Sequence, residues 1–331
     1  MSESMLSTQS GVESRRSGPV ADPPQAGGAP AGRDGKSRST KGRDTPRPAG
    51  KNRGTKGAKG GKQGSNVLAH CVLAIGGLAM ISPLLYQIVM SLSTNAEVQS
   101  TPPTLWPSVV QWHNFADVFT SMNFGSQLWV TVAITVIRVI GQVLLCSMAG
   151  YAFARMQFRF KGLILAVVLS IIMVPSQLFL IPQYQIIQNL GWLNSIAGIV
   201  APGIFSAFGL FLMRQFFMGL PDELEDAARL DGANPFQIFF RVMLPLAANG
   251  LWALVIITVL WSWNDLLWPL VVTSTANAAP LSVGLSNLQG EHANNYPILM
   301  AASLMAMAPI LIMFLLMQKR VMAGIGRSGL K

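Results

Sequence analysis

The sequence predicts an all-α integral membrane protein with six transmembrane helices, and two observations carry this prediction. Of its 331 residues, 51% are hydrophobic and only 11% are charged, which is too few charges for the surface of a soluble protein. Six apolar runs are each long enough to cross a hydrocarbon core of about 30 Å as a helix. These runs lie at 67–92, 128–153, 162–181, 196–216, 246–272 and 298–317.

Residues 1–66 are expected to form a disordered cytoplasmic tail ahead of a six-helix domain at 67–331. The first 64 residues hold 13 of the 24 Lys and Arg but only 5 of the 14 Asp and Glu, among many Gly, Pro and Ser. Such a segment cannot bury enough apolar surface to offset its chain entropy. Its charge would suit anionic lipid headgroups, nucleic acid or simple solvation, and these alternatives stay open.

The distribution of Lys and Arg orients the spans. The connectors at 93–127, 182–195 and 273–297 contain neither residue. The alternate connectors and their borders carry Arg155, Arg159, Lys161, Arg214, Arg229 and Arg241. Because cytoplasmic loops are enriched in these residues, both termini and the segment 221–245 are predicted to be cytoplasmic.

The segment 221–245 has the signals of a helix-turn-helix elbow between two apolar runs. Pro221 suits a first helical turn, Asp222 suits the positive end of the helix dipole, and Gly232 can end the helix in a left-handed conformation. Asn234 is a good N-cap and Pro235 a good first residue for the second arm.

The elbow also carries a family pattern: Asp226-Ala227-Ala228, then Gly232, then Val242-Met243-Leu244-Pro245. This pattern resembles the EAA loop of the membrane permease subunits of bacterial ABC importers. Asp226 stands where that family has Glu, and Val242 where it usually has Ile, so that Glu225 can share the acidic role. Without a partner, the same segment would be an ordinary amphipathic helix pair.

The resemblance extends over nearly all of 67–331 and is closest to the maltose-type, MalG-like carbohydrate branch of that family. It is carried by the stretches 149–155, 173–175, 190–194, 208–217 and 263–270. The resemblance implies the type I ABC importer permease fold in a bacterial inner, or plasma, membrane. The first 66 residues have no counterpart in it.

The resemblance further implies a non-enzymatic half-pore in a larger complex. Its partners would be a second, non-identical permease, two ATPase subunits that bind ATP and Mg, and an extracytoplasmic solute-binding protein. This chain would itself hold no cofactor. The elbow would contact the ATPase through Glu225 and Asp226, dock closely at Ala227, Ala228 and Gly232, and set the angle into the fifth span at Leu244 and Pro245.

Ionisable residues inside apolar runs are costly and therefore suggest function, which singles out Arg138 and Asp265. They can line a translocation pathway or form a structural ion pair between two helices. Trp263 and Asn264 adjoin Asp265 and can contact a sugar ring, or they can pack helices together. The sequence leaves both pairs of alternatives open.

The chain shows no arrangement of catalytic residues, and its three histidines, His70, His113 and His292, are too scattered to predict a metal site. A competing function is an ion-gradient-driven secondary transporter or channel in which Arg138 and Asp265 couple the ion. A membrane scaffold recruited by the basic tail is a third. Within importers, glycerol phosphate and polyols remain alternatives to a sugar or oligosaccharide.

Overall fold

The computed structural model describes residues 63–102, 104–276, 278–291 and 295–325, and every regular element in these ranges is a helix. The predicted tail at 1–66 lies outside this part of the chain, apart from its last four residues. Those four residues are helical and begin the first helix, so this helix starts earlier than the sequence predicted.

The α-helices are named in chain order. They are α1 (Gln63–Ser91), α2 (Asn95–Val98), α3 (His113–Ser121), α4 (Phe124–Arg155), α5 (Lys161–Met173), α6 (Leu180–Asn189), α7 (Ile196–Val200), α8 (Ala207–Met218), α9 (Glu223–Leu230), α10 (Pro235–Gln237), α11 (Leu244–Leu246), α12 (Ala248–Trp263), α13 (Leu267–Val272), α14 (Leu281–Glu291) and α15 (Tyr296–Ile325). Two 3₁₀ segments, Ser176–Phe179 and Ala201–Gly203, and a π-helix, Ile238–Met243, join some of them.

Three segments of the described chain are single helices long and apolar enough to cross a membrane: Ala69–Ser91, Phe124–Arg155 and Tyr296–Leu316. Three further candidate spans are pairs of helices bent at a short break. Lys161–Met173 and Ser176–Asn189 are bent by 100°, Ile196–Gly203 and Ala207–Met218 by 47°, and Pro235–Leu246 and Ala248–Trp263 by 77°. The third, fourth and fifth runs are therefore each interrupted in the structure, while six spans remain a prediction.

The first two bends have local causes. Val174 is extended (φ −90°, ψ 125°) directly before Pro175, because a proline ring disfavours the helical conformation of the preceding residue. Ser206 is also extended (φ −133°, ψ 127°), and its hydroxyl accepts a hydrogen bond from the Gly209 amide at 3.2 Å. This N-cap begins a new helix inside an apolar run.

The core is centred on α4, which packs most extensively against α8 and α12. One buried cluster joins these helices to the π-helix and includes Cys146, Met213, Phe217, Phe239 and Leu254. A second cluster joins α3, α14 and α15 and includes Val118, Leu281, Ala301 and Ala302. Phe124, at the start of α4, belongs to this second cluster, so α4 contributes to both clusters.

The connector between α1 and α3 is tied together by one carboxylate, that of Glu97. Glu97 closes a capping box on α2, in which its Oε2 accepts a hydrogen bond from the Thr94 amide at 2.8 Å. Its Oε1 accepts from the amide of Ser108 at 2.8 Å and from the Ser108 hydroxyl. These hydrogen bonds lower the pKa of Glu97 to about 2, and the hydrogen bond from the Ser108 hydroxyl lowers it most.

The lowered pKa predicts a pH dependence for this connector. A group whose pKa is depressed by folding contributes stability above its ordinary pKa, and the contribution is lost as pH falls toward the folded value. Amide exchange across 94–108, corrected for intrinsic rates, should therefore rise between pH 4.5 and about 2. Glu97→Gln should exchange rapidly already at pH 5 and change little below it.

The matched control is Asp117→Asn, which neutralises an exposed carboxylate on α3 whose partner is His113 at 3.8 Å. This variant should keep the wild-type pH profile across 94–108. Identical profiles for wild type and Glu97→Gln would contradict the assignment.

Candidate functional site

The first arm of the elbow, α9, ends in a Schellman motif at Gly232. The Gly232 amide donates to the carbonyl of Arg229 at 3.0 Å, and the Ala233 amide donates to the carbonyl of Ala228 at 3.0 Å. Gly232 has φ +80°, the left-handed conformation that glycine adopts without a steric penalty. The sequence predicted this helix end at this residue.

The second arm begins as predicted at Asn234 and Pro235. Asn234 Oδ1 accepts a hydrogen bond from the Gln237 amide at 2.8 Å, and Gln237 Oε1 accepts from the Asn234 amide at 2.9 Å. This reciprocal capping satisfies two backbone amides at the start of the second arm. At its other end the arm passes through the π-helix and Pro245, and the 77° bend into α12 follows directly. The helix breaks at Ala247, whose ψ of 14° is not helical.

The start of the first arm differs from the prediction. Pro221 precedes the helix instead of forming its first turn, and Asp222 is the N-cap residue, although its side chain caps no amide. That side chain forms an ion pair with Arg155 at the end of α4. Arg155 also donates to the carbonyls of Phe217, at 2.8 Å, and Leu220. The end of α4 thus holds the link between α8 and α9.

Glu225 lies on the inner face of α9, whereas the family resemblance implies a contact between this residue and the ATPase. Its residue surface is only 6% exposed. Oε1 accepts a hydrogen bond from the Tyr151 hydroxyl of α4 at 2.9 Å and another from Arg229 at 2.7 Å. Because the carboxylate is already bonded inside the chain, Glu225 connects the elbow to α4.

The outward face of the elbow consists of small, acidic and apolar residues. Asp226, Ala227 and Gly232 are exposed, while Ala228 is half-buried against the α4–α8 cluster. Leu230, at the tip, is 89% exposed. Of the remaining predicted coupling residues, Leu244 packs on the same cluster as Ala228, and Pro245 is exposed.

A second candidate site is built on one buried polar face of α4. The face consists of Gln127, Thr131, Thr135, Arg138 and Gln142, all buried. They recur at intervals of four, four, three and four residues, which places them on one side of a helix. Sequence reasoning selected only Arg138, although the spacing of polar residues within an apolar run was a signal for the others.

Arg138 and Asp265 form the central contact of this face. Arg138 Nη1 lies 2.8 Å from Asp265 Oδ2, and Nη2 donates to the carbonyl of Ile199 at 2.7 Å. The Arg138 side chain is 8% exposed and that of Asp265 is 24% exposed. The pair joins α4 to the break that follows α12 and also lines a cavity, while a role in a translocation pathway stays a prediction.

The cavity has a volume of about 760 Å³, within the range of small-molecule sites. Its polar lining includes Gln142, Ser176, Gln183, Ser206, Thr258, Ser262 and Asn264, and its aromatic lining includes Phe205, Trp261 and Trp268. Several of these residues lie where helices are broken, at 174–176, 201–206 and 264–266. Irregular backbone at membrane depth is tolerated where it lines a polar cavity or is buried in protein.

Of the four residues predicted to line a translocation pathway, three line the cavity and one does not. Arg138, Asn264 and Asp265 line the cavity. Trp263 instead donates its indole N–H to the carbonyl of Ala306 at 3.1 Å and packs against the α3–α14–α15 cluster. Trp263 therefore packs against α15, and the aromatic surface of the cavity comes from Phe205, Trp261 and Trp268.

Comparison with known proteins gives the family. Residues 142–325 match the family described as binding-protein-dependent transport system inner membrane component. The arabinooligosaccharides transport system permease protein AraQ of Halalkalibacterium halodurans is 36% identical over 258 residues, covering 76% of this chain and 91% of that protein. The sn-glycerol-3-phosphate transport system permease protein UgpE of Pectobacterium atrosepticum is 33% identical over 272 residues, covering 80% and 97%.

Among solved structures, a chain of a bacterial ABC transporter involved in the import of the acidic polysaccharide alginate has the same fold, with a TM-score of 0.68 and 23% identity. The match covers 78% of this chain and 96% of that chain. The all-helical architecture and the extent of the sequence match lead to one assignment: this chain belongs to the family of binding-protein-dependent transport system inner membrane components.

Proposed function

We propose that this chain is one membrane-spanning half of an ATP-driven importer of a carbohydrate, and that its elbow couples the pathway to a separate ATPase. One observation carries the proposal. α4 contributes Arg138 and Gln142, near its middle, to the polar cavity, and it contributes Tyr151 and Arg155, near its C-terminal end, to the elbow. A displacement of the elbow would therefore move the helix that lines the cavity.

The proposed assembly has the partners of a binding-protein-dependent system. A second, non-identical permease would complete the pore, two ATPase subunits would bind ATP and Mg, and a solute-binding protein would deliver the solute from outside. In this assembly the chain lies in the bacterial plasma membrane, and the distribution of Lys and Arg supports an orientation with the elbow and both termini in the cytoplasm. In this scheme ATP is hydrolysed by the partner.

The lining of the cavity supports a sugar or oligosaccharide as the solute. Trp261, which is 55% exposed, presents aromatic surface, Trp268 borders the cavity while mostly buried, and hydroxyl and amide side chains also line it. Aromatic faces combined with hydrogen-bonding groups suit sugar rings. The names of the relatives, which refer to arabinooligosaccharides and to glycerol 3-phosphate, keep a polyol phosphate as the alternative.

The docking surface for the ATPase would be the outward face of α9 and the tip that follows it. Ala227 and Gly232 are small enough for a partner backbone to approach closely, and the exposed side chain of Leu230 can fill an apolar pocket. Asp226 would pair with a basic group of the ATPase. Glu225 would act from behind this surface, by holding α9 on α4.

The first test is a pulldown of the tagged chain in mild detergent, with identification of co-purifying proteins by mass spectrometry. Wild type should recover an ATPase, and Asp226→Lys should lower its recovery about tenfold, because an attraction becomes a repulsion worth about 1.4 kcal/mol. The control is Asp117→Lys, which reverses an exposed charge on α3. If wild type recovers no ATPase, the ion-gradient transporter, with Arg138 and Asp265 as its coupling pair, replaces the proposal.

A second test concerns the hydrogen bond between Tyr151 and Glu225. Tyr151→Phe removes the hydroxyl donor and should weaken the attachment of α9 to α4 by about 1.5 kcal/mol. Amide exchange in 223–230 should accelerate about tenfold, while recovery of the ATPase changes little.

Tyr184→Phe makes the same substitution on α6, where Tyr184 packs against a different cluster, and should leave exchange in the elbow unchanged. Unchanged exchange in Tyr151→Phe would show that this bond does not hold α9.

A third test uses the backbone conformation of Gly232. The space around its Cα is open, so a substitution there acts through φ and not through a clash. Gly232→Leu should cost about 1 kcal/mol, fray the end of α9 and lower recovery of the ATPase, although the permease still inserts. Gly232→Asn should stay close to wild type, because asparagine tolerates the left-handed conformation. Normal recovery and uptake with Gly232→Leu would rule out a geometric role for this residue.

A further inference from the structure

The side of the cavity that this chain provides is electrically balanced. Among the described residues that line it, the ionisable ones are Arg138 and Asp265, and their charges are joined at 2.8 Å. The other lining residues are aromatic, aliphatic, hydroxyl or amide. An anion that entered this space would meet, among these lining residues, a single cation, Arg138, and that cation is already paired with Asp265.

Arg138 is also closed off from a ligand by its packing. Nη1 is bonded to Asp265 and Nη2 to the carbonyl of Ile199. Nε is buried against Gly203, where an added Cβ would lie only 2.7 Å from that nitrogen. The guanidinium group therefore holds the wall of the cavity together and presents little positive surface to a solute.

The groups that do face the cavity suit hydroxyl donors. The Asp265 side chain is three times as exposed as that of Arg138, at 24% against 8%, so the accessible part of the pair is the carboxylate. Asn264 is exposed beside it, and Trp261 is 55% exposed. A carboxylate oxygen accepts hydrogen bonds from hydroxyl groups and repels a phosphate or a uronate, with little screening in a site of low dielectric.

We infer that the cavity of this chain selects uncharged, polyhydroxylated solutes, such as neutral oligosaccharides, and discriminates against anionic sugars and sugar phosphates. The inference rests on the proposed import function, which by itself leaves the charge of the solute open. Its physical basis is the closed Arg138–Asp265 pair, in which the cation is engaged and the anion is accessible.

The test is ligand binding to the purified complex, with its co-purified ATPase and without a solute-binding protein. The neutral probes are arabinotriose, xylotriose and maltotriose, and the anionic probes are trigalacturonate and sn-glycerol 3-phosphate. At least one neutral trisaccharide should bind wild type tenfold more tightly than either anionic probe, measured by the shift in thermal unfolding across a concentration series.

Two variants separate charge from shape. Asp265→Asn leaves the charge of Arg138 without a counterion, and it should move the preference at least tenfold toward trigalacturonate. The double variant Arg138→Gln with Asp265→Asn removes both charges, and it should return the preference to the neutral trisaccharide. If Asp265→Asn gives no intact complex, Arg138→Gln tests the opposite sign and should weaken binding of the anionic probes further.

The inference is overturned if wild type prefers an anionic probe, if no probe binds, or if the charge variants leave the preference unchanged. Co-purification of the ATPase is scored in the same preparation. Loss of the selectivity with the ATPase still bound would remove only this inference, whereas absence of the ATPase from wild type would remove the importer proposal itself.

Discussion

The structure depends on the burial of one polar face of α4 inside an otherwise apolar bundle. Unpaired polar groups in such surroundings cost several kcal/mol each, so the hydrogen-bonded groups on this face constrain what lies opposite to them. Thr131 accepts a hydrogen bond from the Leu281 amide at 2.8 Å, and Thr135 donates to Ser262 at 3.3 Å. Gln142 Oε1 accepts from Thr258 at 2.9 Å. These partners fix the register of α4 against α12 and α14.

Helix breaks supply the other partners of this face. The segment 196–203 ends before α8 begins, and the last carbonyls of a helix have no partner within it. Arg138 bonds to the carbonyl of Ile199, and Gln142 donates to the carbonyl of Gly203 at 2.8 Å. The broken helix and the polar face of α4 therefore satisfy each other's hydrogen-bonding groups. The polar cavity lies where they meet.

The same helix links this cavity to the elbow. Tyr151 and Arg155 are four residues apart, so they lie on one face near the end of α4 and hold Glu225 and Asp222. The Schellman motif at Gly232 and the capping box at Asn234 make the elbow a rigid unit, because both ends of its turn are hydrogen-bonded. A rigid elbow attached to a continuous helix transmits displacement better than a flexible loop would.

The sequence by itself determined the membrane class, the apolar runs and the local geometry of the elbow. These features depend on composition and on residues near one another in the chain, as with Gly232 and its left-handed backbone. The family pattern at 226–245 was recognisable for the same reason, because its residues lie close together in the chain. Arg138 and Asp265 were also recognisable, since a charge in an apolar run is conspicuous wherever its partner lies.

Only the tertiary structure decided which faces of these helices meet. It turned Glu225 toward Tyr151 and away from the outer surface, and it placed Trp263 against Ala306 and outside the cavity. Hydrophobic periodicity could not settle the orientation of Trp263, because a run that is apolar on all sides does not indicate which side faces lipid. The cavity depends on hydrogen-bond partners contributed by segments more than 60 residues away in the chain, as between Arg138 and the carbonyl of Ile199.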